Sequence, residues 1–167
     1  MIDAILAAHA EPDQPGATFR AIDAALASEP GHILFTILVH HPALRRSERF
    51  YTNKPEAYPI GGRKPLTDSA WMRRVIHGGE PYIGRTAEDI AAHFFDHALI
   101  DSLGCQSILN MPARWCGLTL GTLNLCHRAT HYTESDLPRV RLIAQLAVPA
   151  LLGVSAVMPV DPMPEGR

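Results

Sequence analysis

The run His32-Ile33-Leu34-Phe35-Thr36-Ile37-Leu38-Val39-His40 constrains the fold more than any other stretch of the chain. It is almost continuously apolar and rich in β-branched residues, the pattern of a strand covered on both faces. Such a strand has no side to give to water, so it belongs in the middle of a sheet. Its neighbours in sequence supply material to cover it. Phe19, Ile22, Ala25 and Leu26 follow helical spacing from about Ala17 to Ala27, and Pro30-Gly31 ends that helix. After a turn at Pro42, Ser47 to Asn53 alternates as a second strand.

Beyond Asn53 comes a loop dense in Pro, Gly, aromatic and cationic residues, Lys54-Pro55-Glu56-Ala57-Tyr58-Pro59-Ile60-Gly61-Gly62-Arg63-Lys64. Asp68 is placed to cap a helix through Ile76, with Trp71, Met72 and Val75 on one stripe. Gly78-Gly79 stops it, and Pro81-Tyr82-Ile83-Gly84 reads as a short edge strand. Thr86, followed by Glu88 and Asp89, opens a further helix through Phe94-Phe95-Asp96-His97. Gln106 to Ala113 and Leu118 to His127 form a hairpin around Arg114-Trp115-Cys116-Gly117. Thr133 starts the last helix, whose stripe runs from Leu137 through Val140, Ile143, Ala144 and Ala147 to Leu152, with a kink expected at Pro149.

A chain of 167 residues is most simply one domain. We divide it into an N-terminal extension, 1–13, a folded domain, 14–152, and a disordered Pro-rich tail, 153–167. A formal net charge of −2 gives no general attraction to nucleic acid or to an anionic membrane. No apolar run reaches the roughly 20 residues that span a bilayer, and Met1-Ile2-Asp3-Ala4 lacks a basic leader. Three cysteines without a secretory signal argue against a disulfide framework. A cytoplasmic protein is expected.

The loop from Arg49 to Lys64, the run Leu103-Gly104-Cys105-Gln106-Ser107-Ile108-Leu109-Asn110-Met111-Pro112 and the return Leu120-Gly121-Thr122-Leu123-Asn124-Leu125 together resemble a GAF domain. The order helix, two strands, loop, helix, strand, helix, two strands, helix is likewise that of a GAF domain, and the resemblance covers roughly residues 14 to 152. It implies an α+β, GAF/PAS-like fold: a central antiparallel β-sheet flanked by helices, with the terminal helices on one face and a ligand pocket on the other. It also implies a homodimer through the first and last helices, 17–27 and 137–152, although burial on their own sheet explains those stripes equally well.

A pocket needs apolar walls and a few fixed polar groups. Arg49, Tyr51 and Asn53 alternate with Phe50 and Thr52 and so are expected to share one face of the second strand. Tyr58 and Lys64 lie in the loop, and Trp71 in the helix after it. Tyr and Trp supply planar walls with hydrogen-bonding edges, while Lys64 or Arg49 could neutralise a carboxylate or phosphate. Lys64 is the first choice, because Gly61-Gly62 lets its loop close. The competing reading leaves both cations solvated and puts the aromatics in the core. Asn110 and Asn124 have the same parity and share a face if the hairpin pairs with an even register sum; their partners are then a ligand or neighbouring backbone.

No catalytic constellation, cofactor motif or metal motif is complete. Cys105 and Cys126 straddle the hairpin and could meet across it, which keeps open an enzyme on this scaffold, a redox reductase of the free methionine-(R)-sulfoxide type. His93 and His97 are spaced i, i+4, and a metal-dependent enzyme is the other form of that alternative. Cys126-His127 ends a strand, unlike the Cys-His context of bilin-binding relatives, and the Asn-Lys-x-x-x-Phe-x-Asp-Glu motif of cyclic-nucleotide relatives is missing. The favoured expectation is a non-catalytic sensory domain that binds a small anionic or aromatic metabolite and signals through a partner protein.

Overall fold

The computed structural model describes residues 1–157. Its centre is a six-stranded, wholly antiparallel sheet in the order β3-β2-β1-β6-β5-β4. The strands are β1 (Leu34–His41), β2 (Arg46–Thr52), β3 (Arg63–Pro65), β4 (Tyr82–Gly84), β5 (Ser107–Trp115) and β6 (Leu118–His127). As its composition requires, β1 is interior, flanked by β2 and β6. The three-residue β3 was not expected; it is polar, short and at the edge, so its pairing leaves no hydrophobic trace in the sequence.

Odd-numbered residues of the central strands face a layer of helices. Phe35, Ile37, Leu109, Met111, Leu123 and Leu125 pack there against Phe19, Ile22 and Leu26 of α2 (Gly16–Ser28) and Val140 and Ile143 of α6 (Leu137–Leu146). Each such side chain contributes about 1.5–3 kcal/mol through loss of apolar surface to water. Gly121 lets α7 (Val148–Val157) come close: a Cβ there would stand 3.0 Å from Leu151 and would also meet the Leu38 carbonyl of β1. Pro149 sits in the first turn of α7, where no backbone bond is lost, and α6 and α7 meet at 43°. No single helix among the described residues is long and apolar enough to cross a membrane.

Several boundaries differ from expectation. The extension 1–13 contains α1 (Ile2–Ala8), whose Ile5 is fully buried in the main core while the His9 ring bonds the Leu146 carbonyl at 2.9 Å. One inserted side chain is too little periodicity to read in advance. At the other end α7 runs five residues past Leu152, with Val154 buried; the rest of the expected tail, 158–167, lies outside the described residues.

The helix expected from Asp68 to Ile76 is capped instead by Ser69, which accepts from Met72 N–H. It is a short α3 (Ala70–Met72) that widens into a π-type turn, Arg73–His77. The helix expected from Thr86 to His97 is two: α4 (Ala87–Ala91), with a Thr86–Asp89 capping box, and α5 (His97–Ser102). Residues between them leave helical geometry as Phe94 packs edge-on to Trp71, 5.6 Å between ring centres, and as Asp96 receives bonds from Tyr58 of the 53–62 loop and Lys64 of β3. The β5–β6 hairpin closes on Cys116-Gly117, both at positive φ (48° and 78°), the conformation that matches strand twist in a two-residue loop.

Candidate functional site

Even-numbered residues of the same strands face away from the helix layer. Leu34, Thr36 and Leu38 of β1, Ile108 and Asn110 of β5, and Asn124 and Cys126 of β6 form the floor of a cavity of about 260 Å³. Its roof is the loop of residues 53–62 with β3, the start of α3, and the irregular segment 93–96. Thus α2, α6 and α7 hold the sheet from one side, and the cavity lies on the other.

Six of the eight expected site residues border this cavity: Arg49, Tyr58, Lys64, Trp71, Asn110 and Asn124. Tyr51 and Asn53 do not. The β1–β2 register pairs Leu38 with Arg49 but Ile37 with Tyr51, so Phe50 is an extra residue in β2. That bulge reverses the alternation, and Tyr51 points into the helix layer, where its hydroxyl donates to Asp23 at 2.6 Å. Burial, then that bond, pushes its pKa up. Asn53 closes the strand end instead, accepting from Phe35 N–H at 2.8 Å and donating to the Ile33 carbonyl at 3.1 Å.

The two asparagines do share a face, as direct cross-strand partners. Trp71 Nε1–H donates to Asn110 at 3.0 Å, Asn110 to Asn124 at 2.7 Å, and Asn124 to the Thr36 hydroxyl at 3.3 Å. This directed chain crosses three strands and fixes the indole against the cavity. The main hydrogen bonds of both amides are therefore made within the protein.

At the opposite wall Arg49 is 8% exposed and stacked over Tyr58, with its Cζ 4.6 Å from the ring centre. Its Nη1 donates to the Pro59 carbonyl at 3.0 Å, Nε is buried without an acceptor, and Nη2 has none among the described residues. No carboxylate of the described residues lies within ion-pair distance of it. Burial lowers its pKa, against the upward pull of Tyr58 and Asp96, yet a guanidinium stays charged.

Lys64, by contrast, is already paired. Its ammonium donates to Asp96 Oδ2 at 3.0 Å and lies 4.8 Å from the centre of the exposed Phe95 ring. Tyr58 donates to the same oxygen at 3.0 Å, and burial, then Asp96, drives its pKa up. Asp96 thus latches the loop to segment 93–96. Two cations and one carboxylate leave the cavity with one net positive charge, carried by Arg49.

The sequence reading missed Ser47, Thr36, Asp96 and Phe94 as cavity residues. Ser47 was accessible by parity, two positions before Arg49. Its hydroxyl meets His40 Nδ1 at 2.6 Å, and burial, then His41, drops the His40 pKa to about 3. Asp96 carried no signal, because it was read inside a helix. The break between α4 and α5 also removes the i, i+4 relation of His93 and His97; among the described residues no group of three metal-ligating side chains assembles. Cys105 and Cys126 meet in one buried cluster with Leu34 and Ile108.

No protein-family model matches the chain, and no curated protein matches its sequence. Solved structures do match its shape. The GAF domain of an Acinetobacter phosphoenolpyruvate-protein phosphotransferase superposes with a TM-score of 0.73 at 10% identity, covering 96% of this chain and 95% of that one. The GAF domain of a phosphoenolpyruvate-protein phosphotransferase from Coxiella burnetii gives 0.72 at 14% identity, covering 93% and 92%. A type II free methionine-R-sulfoxide reductase from Thermoplasma acidophilum gives 0.63 at 13% identity, covering 80% and 88%. At these identities the likeness shows the fold.

Proposed function

We propose that this chain, which has the fold of a GAF domain, is a non-catalytic receptor for a small anionic metabolite with an aromatic or apolar body. The reading rests on Arg49: a buried guanidinium with no carboxylate partner among the described residues, on the wall of a cavity whose apolar lining includes Leu34, Tyr58, Trp71, Phe94 and Ile108 and whose other cation, Lys64, is paired with Asp96. An unpaired charge there costs desolvation energy that an entering carboxylate or phosphate returns through charge-assisted hydrogen bonds. Trp71 and Phe94, held edge to face, suit a planar or branched apolar body. Thermal-shift screening of the natural chain and Arg49→Met against aromatic acids, amino acids and nucleotides tests it. The expected result is a set of anionic hits that stabilise only the natural chain; a broad panel without hits removes the reading.

Signalling through a partner protein belongs to the same proposal, as does a cytoplasmic setting, where three free cysteines stay reduced. A homodimer through the first and last helices would use their outward side, since their apolar stripes are spent on their own sheet. Leu142 of α6, 49% exposed, is the large apolar residue left for it among the described residues of these helices, and 17–27 presents none. A monomeric mass at micromolar concentration would count against that interface.

A second reading, a redox reductase of the free methionine-(R)-sulfoxide type, has one observation in its favour: Cys126 borders the cavity and adjoins Cys105. Turnover of free methionine sulfoxide with a thiol reductant decides between the two.

A further inference from the structure

Two of the three free cysteines meet beneath the cavity. Cys105 follows α5 and is 1% exposed; Cys126 lies on β6 and is 2% exposed. Leu34 joins them, as the cross-strand partner of Cys126 and as a member of the same buried cluster. On one side Cys126 forms part of the cavity wall. On the other, Cys105 forms part of a separate cleft of about 370 Å³ between α4 and α5, bordered by Glu88, His97 and Asp101. The two thiols stand in series between the outer cleft and the ligand cavity, and the cleft gives a small oxidant a route to the first of them.

We propose that Cys105 and Cys126 are a redox-active pair, converted by a peroxide into an intramolecular disulfide that ties β6 to the turn before β5. The thiolate of Cys105 attacks one peroxide oxygen, the O–O bond breaks, and the departing hydroxide takes up a proton to leave as water. Cys105 is then a sulfenic acid. The Cys126 thiol gives up its proton and attacks the Cys105 sulfur; the S–O bond breaks and a second water leaves. The sum is two thiols and one peroxide to one disulfide and two waters.

The environment sets the order of attack. Cys105 is held below the ordinary thiol range, first by the Cys126 S–H directed at it, then by the Leu34 N–H and the charge of Lys54, with burial opposing. Cys126 is pushed up by the same contact and by complete burial, so it remains a thiol until the sulfenic acid forms. A resolving thiol in contact is what diverts a sulfenic acid to a disulfide before further oxidation.

The exposed Cys116 serves as an internal control, since it sits at the hairpin tip, at the opposite end of β5 and β6 from the buried pair. The full chain is treated with hydrogen peroxide, unfolded in an alkylating trap and mapped without reduction. Expected is a peptide pair linked through Cys105 and Cys126, a loss of two hydrogens in the intact mass, and full return of both thiols on reduction. In Cys105→Ser the link disappears and Cys126 stays alkylatable. Either of two results overturns the proposal: Cys116 oxidised while both buried thiols remain free, or Cys105 driven to sulfinic acid without a link. No ligand enters these measurements, so their outcome is independent of the receptor reading.

Discussion

Gly62 is fitted around Arg49: a Cβ built on that glycine would stand 2.7 Å from Arg49 Nη1. Its carbonyl also accepts from the Arg49 N–H at 2.8 Å, and Gly61 N–H returns a bond to the Arg49 carbonyl at 2.8 Å. Gly61, at φ +84°, makes the reversal that permits this. The loop therefore holds both backbone and side chain of Arg49, the cavity cation that, among the described residues, lacks a carboxylate partner.

Gly62→Ala follows from that contact. Gly62 lies outside the left-handed region, so its backbone accepts alanine, and the guanidinium has to move by several tenths of an ångström. Affinity for an anionic hit from the screen should fall roughly tenfold, about 1.4 kcal/mol, by titration calorimetry. The melting temperature should change little. Equal affinity would show that Arg49 does not touch the ligand.

Arg49 and Asp96 should respond with opposite signs. Arg49→Met removes a buried charge that no acid balances, so the unliganded protein should keep or raise its stability. Anion affinity should fall by about 1.5–3 kcal/mol, the scale of a charge-assisted hydrogen bond. Asp96→Asn keeps an acceptor for Tyr58 and Lys64 but deletes the negative charge beside the site; anion binding should tighten severalfold. Lys64→Met, which the sequence alone singles out, should mainly weaken the latch on Asp96, by about 1 kcal/mol. If Lys64→Met costs more affinity than Arg49→Met, the assignment of the cation is wrong.

Much of the fold was legible because long apolar runs leave few choices. The strand through Leu34 to Val39 follows from its continuous apolar run, buried on both faces, and the shared face of Asn110 and Asn124 follows from side chains that alternate with period two. Short irregular features were not legible. One extra residue at Phe50 moves Tyr51 across the sheet, and nothing in Arg49-Phe50-Tyr51 announces it. Likewise Thr86 and Asp89 mark where α4 begins, but its end is set by Phe94 reaching Trp71, a contact 23 residues apart in sequence. Lys64 and Arg49 looked alike as cations; only the position of Asp96 separates them.

Tyr51→Phe tests the bulge directly. If Tyr51 belonged to the cavity, losing its hydroxyl would alter ligand binding. Because it donates to Asp23 in the helix layer, the change should cost about 1 kcal/mol of stability in denaturant. Affinity for any cavity ligand should stay as it was. A binding defect with unchanged stability would place Tyr51 back in the site.

His40 should make the fold sensitive to mild acid. Buried against Ser47, it ionises at about 3, whereas the unfolded chain takes up that proton near the ordinary value of 6.5. Above 6.5 both states hold a neutral imidazole and the group has no effect. As pH falls through 6.5 only the unfolded chain gains the proton, so stability drains by up to about 1.4 kcal/mol per pH unit until about 3. His41 and His127, also lowered first by burial, add to the same slope in the natural chain and remain in any His40 variant. His40→Asn keeps a polar group for the Ser47 hydroxyl and removes this one titration. Between pH 7 and pH 5 the natural chain should lose about 2 kcal/mol more than the variant, read from urea midpoints at each pH. Parallel losses would mean that His40 takes its proton inside the fold.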